Sequence, residues 1–161
     1  MKNQKGFSLI ELLIVVAIIL IIAAIAIPNL LQARAAANES AAVGAVRTID
    51  IAEVSYQSTY PAIGYAVQLA DLGTAGTAPC IPAPTSACLI DNALETGLKG
   101  GYNFVAIGSG GATNTQFIAA GTPTGTSGNR SFCATEDDVV RVDPVGAAIP
   151  DNATCSALSQ L

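Results

Sequence analysis

The run FSLIELLIVVAIILIIAAIAI, Phe7 to Ile27, constrains the fold more than any other stretch of the chain. Every side chain in it is apolar or small except Ser8 and Glu11. As a helix its roughly 21 residues reach about 31 Å, close to the hydrocarbon thickness of a bilayer. Lys2 and Lys5 precede it, and positive charge marks the end of a span that stays in the cytoplasm. A secretory signal peptide has a shorter apolar core followed by a small-residue cleavage site. Here the helix signal continues instead.

Beyond Pro28 comes NLLQARAAANESAAVGAVRTIDIAEVSYQSTY, dense in Ala and other helix formers. Within it Ala42, Val46, Ile49, Ala52, Tyr56 and Tyr60 recur at spacings of three and four, a stripe able to pack on a globular head. The pattern predicts one helix from Phe7 to about Tyr60. Residues 7–28 are greasy all round and residues 29–60 are greasy on one side. Tyr60-Pro61 is a natural stop, since the residue before proline is pushed out of helical dihedrals.

Glu11 is the anomaly. An ionised carboxylate at the bilayer centre costs roughly 2.5–3.5 kcal/mol even on the mildest scale. One reading places Glu11 near the interface, where the cost is smaller and no role is needed. The other supplies a positive partner in an assembled state, such as a new α-amino group exposed by cutting the chain before Phe7. Periodicity does not choose between them.

The rest of the chain is rich in Ala, Gly, Thr and Ser, so the mean hydropathy of +0.50 reflects one segment rather than a greasy fold. With 161 residues in all, a small head with a modest core remains. A net charge of −5 does not suggest a phosphate-binding surface, so nucleic acid is not an expected partner unless the few Arg residues cluster locally. The four cysteines, Cys80, Cys88, Cys133 and Cys155, lack C-x-x-C spacing, and the chain has no histidine, a poor match to zinc sites. Disulfides in an oxidising compartment fit better. Of the three possible connectivities, Cys80–Cys88 and Cys133–Cys155 close local loops; four buried thiols are the alternative.

The head reads as α+β when joined to the long helix. Residues 61–101 form a Gly-, Pro- and Ala-rich connection holding CIPAPTSAC. Tyr102 to Ile107, Gln116 to Ala120, Arg130 to Ala134 and Val139 to Val142 have strand character, separated by GSGGATN, GTPTGTSGN and TEDD. Short turns between consecutive strands predict an antiparallel meander of three or four strands over residues 102–143, packed on the second half of the helix. Tyr102, Phe104 and Phe117 are candidate core aromatics. Gly108, Gly110 and Gly111 mark a hairpin turn. The tail 144–161 has no regular signal, and a Cys133–Cys155 bridge would pin it to the sheet. Glu136, Asp137 and Asp138 form an acidic cluster that reads as a solvated turn or a calcium loop. Asn38, Asn129 and Asn152 begin N-x-S/T triplets. With no histidine to act as base and no nucleotide or nucleophile-elbow motif, the chain is not expected to be an enzyme, and no cofactor is expected.

The residues KGFSLIELL, Lys5 to Leu13, resemble the leader and mature N-terminus of type IV pilins and their pseudopilin relatives. That resemblance implies a leader, residues 1–6, removed by a membrane peptidase between Gly6 and Phe7, with N-methylation of Phe7. It implies that Glu11 attracts the amine of a neighbouring subunit during assembly, and that the helix loses regular hydrogen bonding near Pro28 in the filament. It also implies a short second helix around Val67 to Leu72, and a pilin fold of long helix and antiparallel head.

The expected function is structural: a major pilin, held in the bacterial inner membrane with its N-terminus cytoplasmic, then polymerised with identical subunits into an extracellular filament. The partners implied are the prepilin peptidase, an inner-membrane assembly platform and the membrane itself. Adhesion, motility and DNA uptake are the uses such filaments serve. A type II secretion pseudopilin, a minor pilin, and a monomeric membrane-anchored binding domain are the alternatives. Calcium in the head would favour the pseudopilin.

Overall fold

The computed structural model describes residues 7–76 and 79–161. Residues 1–6, expected to be a leader cut after Gly6, lie outside the described residues. Helix α1 runs Leu9–Thr59, with Pro28 inside it. It starts two residues later than periodicity predicts and ends one earlier, ahead of Pro61. The helix is unbroken at Pro28 in the single chain, and the loss of hydrogen bonding expected there concerns the filament. Proline removes one backbone donor, a loss one turn of a long helix can absorb. The chain divides into two units, one through Arg34 and one from Ala35 to Leu161.

In the first unit α1 exposes its large apolar side chains on every side, from Leu9 to Leu31. It is long and apolar enough to cross a membrane by length and composition.

In the second unit the predicted stripe of α1 is buried at Ala42, Val46, Ile49, Ala52 and Tyr56, with Tyr60 partly buried. It packs in one core with Tyr102, Phe104, Phe117 and Phe132. Two short helices follow, α2 (Leu69–Leu72) and α3 (Asn92–Glu95), then strands β1 (Leu98–Lys99), β2 (Tyr102–Ser109), β3 (Gln116–Pro123), β4 (Ser131–Thr135) and β5 (Arg141–Asp143). Helix α4 (Asn152–Ser156) and β6 (Ser159–Gln160) close the chain. The sheet is antiparallel throughout in the order β1-β2-β3-β4-β5-β6, each strand beside its sequence neighbour.

Six strands replace the three or four expected. Strands β1 and β6 have two residues each, too few to show a period. The connection 61–101 and the tail 144–161 hold local structure that composition hid. In the tail, Asp151 caps α4 by accepting from the Thr154 N–H at 2.7 Å. Strands β2 and β3 run further than propensity suggests, through Gly108 and Gly121, because the paired neighbour supplies the ladder. Gly121 has a packing reason: a Cβ there would meet the Phe104 ring at 2.7 Å and Val46 of α1 at 3.5 Å. Strands β4 and β5 begin at Ser131 and Arg141, later than predicted.

The sheet is buried on both faces. Phe104, Phe117, Phe132 and Ala134 face the α1 core, whereas Ile118, Ala120 and Cys133 meet Ile149 and Cys155 of the tail. Disulfides join Cys80 to Cys88 and Cys133 to Cys155.

Candidate functional site: the N-terminal segment and the charged face of α1

Helix α1 begins with Ser8 ahead of it and Glu11 in its first turn. The backbone N–H of Ser8 donates to Glu11 Oε2 at 2.9 Å. This is the reach-back half of a capping box, which satisfies a donor the helix leaves orphaned. A carboxylate in the first turn also complements the positive end of the helix dipole. The Ser-x-x-Glu spacing of Ser8 and Glu11 carries this signal in the sequence. Glu11 Oε1 accepts no hydrogen bond among the described residues, so one oxygen remains for a partner. Phe7 is exposed directly before this cap.

Further along, α1 carries three buried carboxylates that the apolar stripe did not announce: Glu39, Asp50 and Glu53. Glu39 is fully engaged. Its Oε1 accepts from the Asn129 N–H at 2.9 Å, and Arg130 donates to Oε2 from Nε at 2.8 Å and Nη2 at 2.6 Å. Burial pushes the Glu39 carboxyl up, but the Asn129 N–H and Arg130 outweigh it and hold it below its ordinary value. One residue earlier, Asn38 donates to the Ser127 carbonyl at 2.9 Å. Together these tie α1 to the loop ahead of β4.

Glu53 is wholly buried. Its Oε2 accepts from the Ala66 N–H at 2.8 Å, while Oε1 has no partner. Burial pushes it up to about 8 against the pull of the Ala66 N–H, with Asp71 and Asp50 adding to the rise. Asp50 is pushed up to about 6 by burial and by the charges of Asp138 and Asp137. Polar residues within an amphipathic stripe read as its solvated edge in a sequence; only the turns that cover α1 bury them.

The acidic turn after β4 is already occupied by the protein. Arg141 donates to both oxygens of Asp137, and Thr135 Oγ1 donates to Oδ1 at 2.9 Å. The Arg141 hydrogen bonds hold the Asp137 carboxyl down to about 2. Glu136 accepts from Asn152 Nδ2 at 2.6 Å, and that same amide donates to the Phe117 carbonyl. No group of three or more potential metal ligands occurs among the described residues. The four cysteines are all in disulfides, Cys133 and Cys155 fully buried, Cys80 and Cys88 at intermediate depth. The sequence-predicted residues thus separate into Phe7 and Glu11 at the start of α1, and the disulfides and acidic turn in the head.

A long helix, apolar all round and then amphipathic, joined to an antiparallel sheet defines a pilin-like α+β protein. The prokaryotic N-terminal methylation motif matches residues 1–27. The chain is 68% identical over 40 residues to a type IV wide pilus major component, PilA4, of Thermus thermophilus, covering 25% of this chain and 30% of that protein. It is 48% identical over 56 residues to the type IV major pilin protein PilA of Myxococcus xanthus, covering 35% and 26%. A fimbrial protein of Pseudomonas aeruginosa is 53% identical over 55 residues, covering 34% and 36%. The matched segment therefore spans roughly a quarter to a little over a third of these relatives. No solved structure matches. In its N-terminal segment the chain is similar to type IV pilins.

Proposed function

We propose that the chain is the major subunit of a type IV pilus, cut after Gly6, N-methylated at Phe7 and polymerised into an extracellular filament from a store in the inner membrane. The observation that carries this reading is Glu11: it lies at motif spacing from Phe7, with one oxygen engaged in the cap and the other without a hydrogen bond among the described residues. A neighbouring subunit's α-amino group at Phe7 is the cation that would meet it in a low-dielectric bundle, where an unpaired charge is costly. In such a bundle the apolar surface of residues 7–28 stays out of water after leaving the membrane. Prepilin peptidase and an inner-membrane platform are the machinery this route requires. Regular hydrogen bonding near Pro28 would loosen at this stage. A type II secretion pseudopilin would share the N-terminus, but Asp137 and Glu136 are engaged by Arg141 and Asn152, which favours a structural turn over a calcium loop.

Glu11→Ala and Glu11→Gln, compared in sheared surface fractions by electron microscopy, test the proposal. The glutamine retains an acceptor for the Ser8 N–H and removes the charge. Both variants should insert in the membrane and lose filaments. Wild-type filament yield from Glu11→Gln would refute charge pairing, and mass spectrometry showing residues 1–6 retained on the native protein would refute the processing.

A further inference from the structure

Asp50 is the least satisfied charge on the head. It is 5% exposed, neither of its oxygens accepts a hydrogen bond among the described residues, and Oδ1 is cut off from solvent. It lines an open cavity of about 350 Å³ with Arg47, Ile51, Val54 and Asp138. Ile51 and Val54 are 71% and 43% exposed, an apolar margin beside the two carboxylates. Asp138 is exposed in the turn after β4, held at φ 57. With two carboxylates and one guanidinium, the cavity is net negative. A buried carboxylate without an ion-paired partner is costly, and Arg47 in the wall forms no ion pair with Asp50, so the site is incomplete in the single chain. A long basic side chain fits it: the cationic head at Asp50 and Asp138, the aliphatic stem along Ile51 and Val54.

The charge inventory narrows the source. Among the described residues the basic side chains are Arg34, Arg47, Lys99, Arg130 and Arg141. Lys99 pairs with Asp91, Arg130 with Glu39 and Arg141 with Asp137. Arg47 is part of the cavity wall and forms no ion pair. Arg34 is exposed and forms none either. We propose that this cavity receives the Arg34 guanidinium of a second copy of the chain, a contact between neighbouring subunits distinct from that of Glu11. The inference rests on the filament reading above. Burial, then Asp138 and Asp137, push Asp50 up only to about 6, so at neutral pH it is an anion awaiting a cation.

The test is a double variant, Arg34→Cys with Ile51→Cys. All four native cysteines are in disulfides, so the introduced thiols are the free ones. Filaments are oxidised mildly and run on a non-reducing gel. A ladder of covalent multimers from the double variant, with each single variant monomeric, is the expected result. Assembled filaments that yield only monomer, or multimers from a single variant, would overturn the pairing. As a second readout, Arg34→Gln should lower filament yield by about three-fold and Arg34→Lys should restore it; undiminished yield from Arg34→Gln would overturn it as well. Absence of filaments from the unaltered chain would instead sink the filament reading itself.

Discussion

Glu53→Gln isolates the energetic consequence of burying a carboxyl on α1 with no cation beside it. In the folded head Glu53 is 0% exposed, and its charged neighbours Asp71 and Asp50 are also acids. The folded carboxyl therefore keeps its proton up to about pH 8, against an ordinary value of 4.5. Folding takes up a proton between those two values, because the folded state binds more protons than the unfolded one. The sign follows: stability is greatest below about pH 4.5, declines as pH rises and levels off above about 8. At pH 7 the penalty is about 2.5 pH units of linkage, or about 3 kcal/mol. Glutamine carries no titrating proton and still offers an oxygen to the Ala66 N–H. The variant should then match wild type near pH 4 and exceed it by about 3 kcal/mol at pH 7, roughly 10 °C in Tm. Thermal unfolding of the full chain in detergent micelles, followed by near-ultraviolet circular dichroism of the buried Tyr56 and Tyr102, reads the head directly. A gap between variant and wild type that is the same at pH 4 and pH 7, or a less stable variant at pH 7, would refute the reasoning.

Two further perturbations address the head. Asp137→Asn leaves the buried Arg141 without its counter-charge; since Asp137 is 43% exposed and water screens the pair, the cost should be about 1–2 kcal/mol. That contribution is present above the ordinary value of 3.8 and fades as pH falls through about 2, so the melting difference should close on acidification. Under mild reductant without denaturant, alkylation and mass spectrometry should find Cys80 and Cys88 modified first. Cys133 and Cys155, both fully buried, should react only on unfolding, and replacing that pair should cost about 2–4 kcal/mol.

The long helix was legible because its signal is repetitive: an apolar run, then a stripe at three- and four-residue spacing that the core indeed buries from Ala42 to Tyr56. The central strands were legible in place but not in extent. Gly108 and Gly121 sit inside ladders that local propensity would end, since hydrogen bonding to a neighbour, absent from any local window, holds them there. Two-residue strands and the cap of α4 lie below the length at which a period can be seen. The Ser8–Glu11 cap is written in the spacing of the two residues, although the apolar run around them masks it.

Residue type and order alone determined where the chain can meet a membrane, where the N-terminal methylation motif lies and which face of α1 is greasy, because each depends on neighbours along the chain. Tertiary structure decided the state of the charges. Glu39, Asp50 and Glu53 are alike in sequence, yet one gains an arginine, one is left beside other acids, and one sits dry with a single backbone donor. What separates them is the identity of groups brought close from distant parts of the chain, and the water those groups exclude.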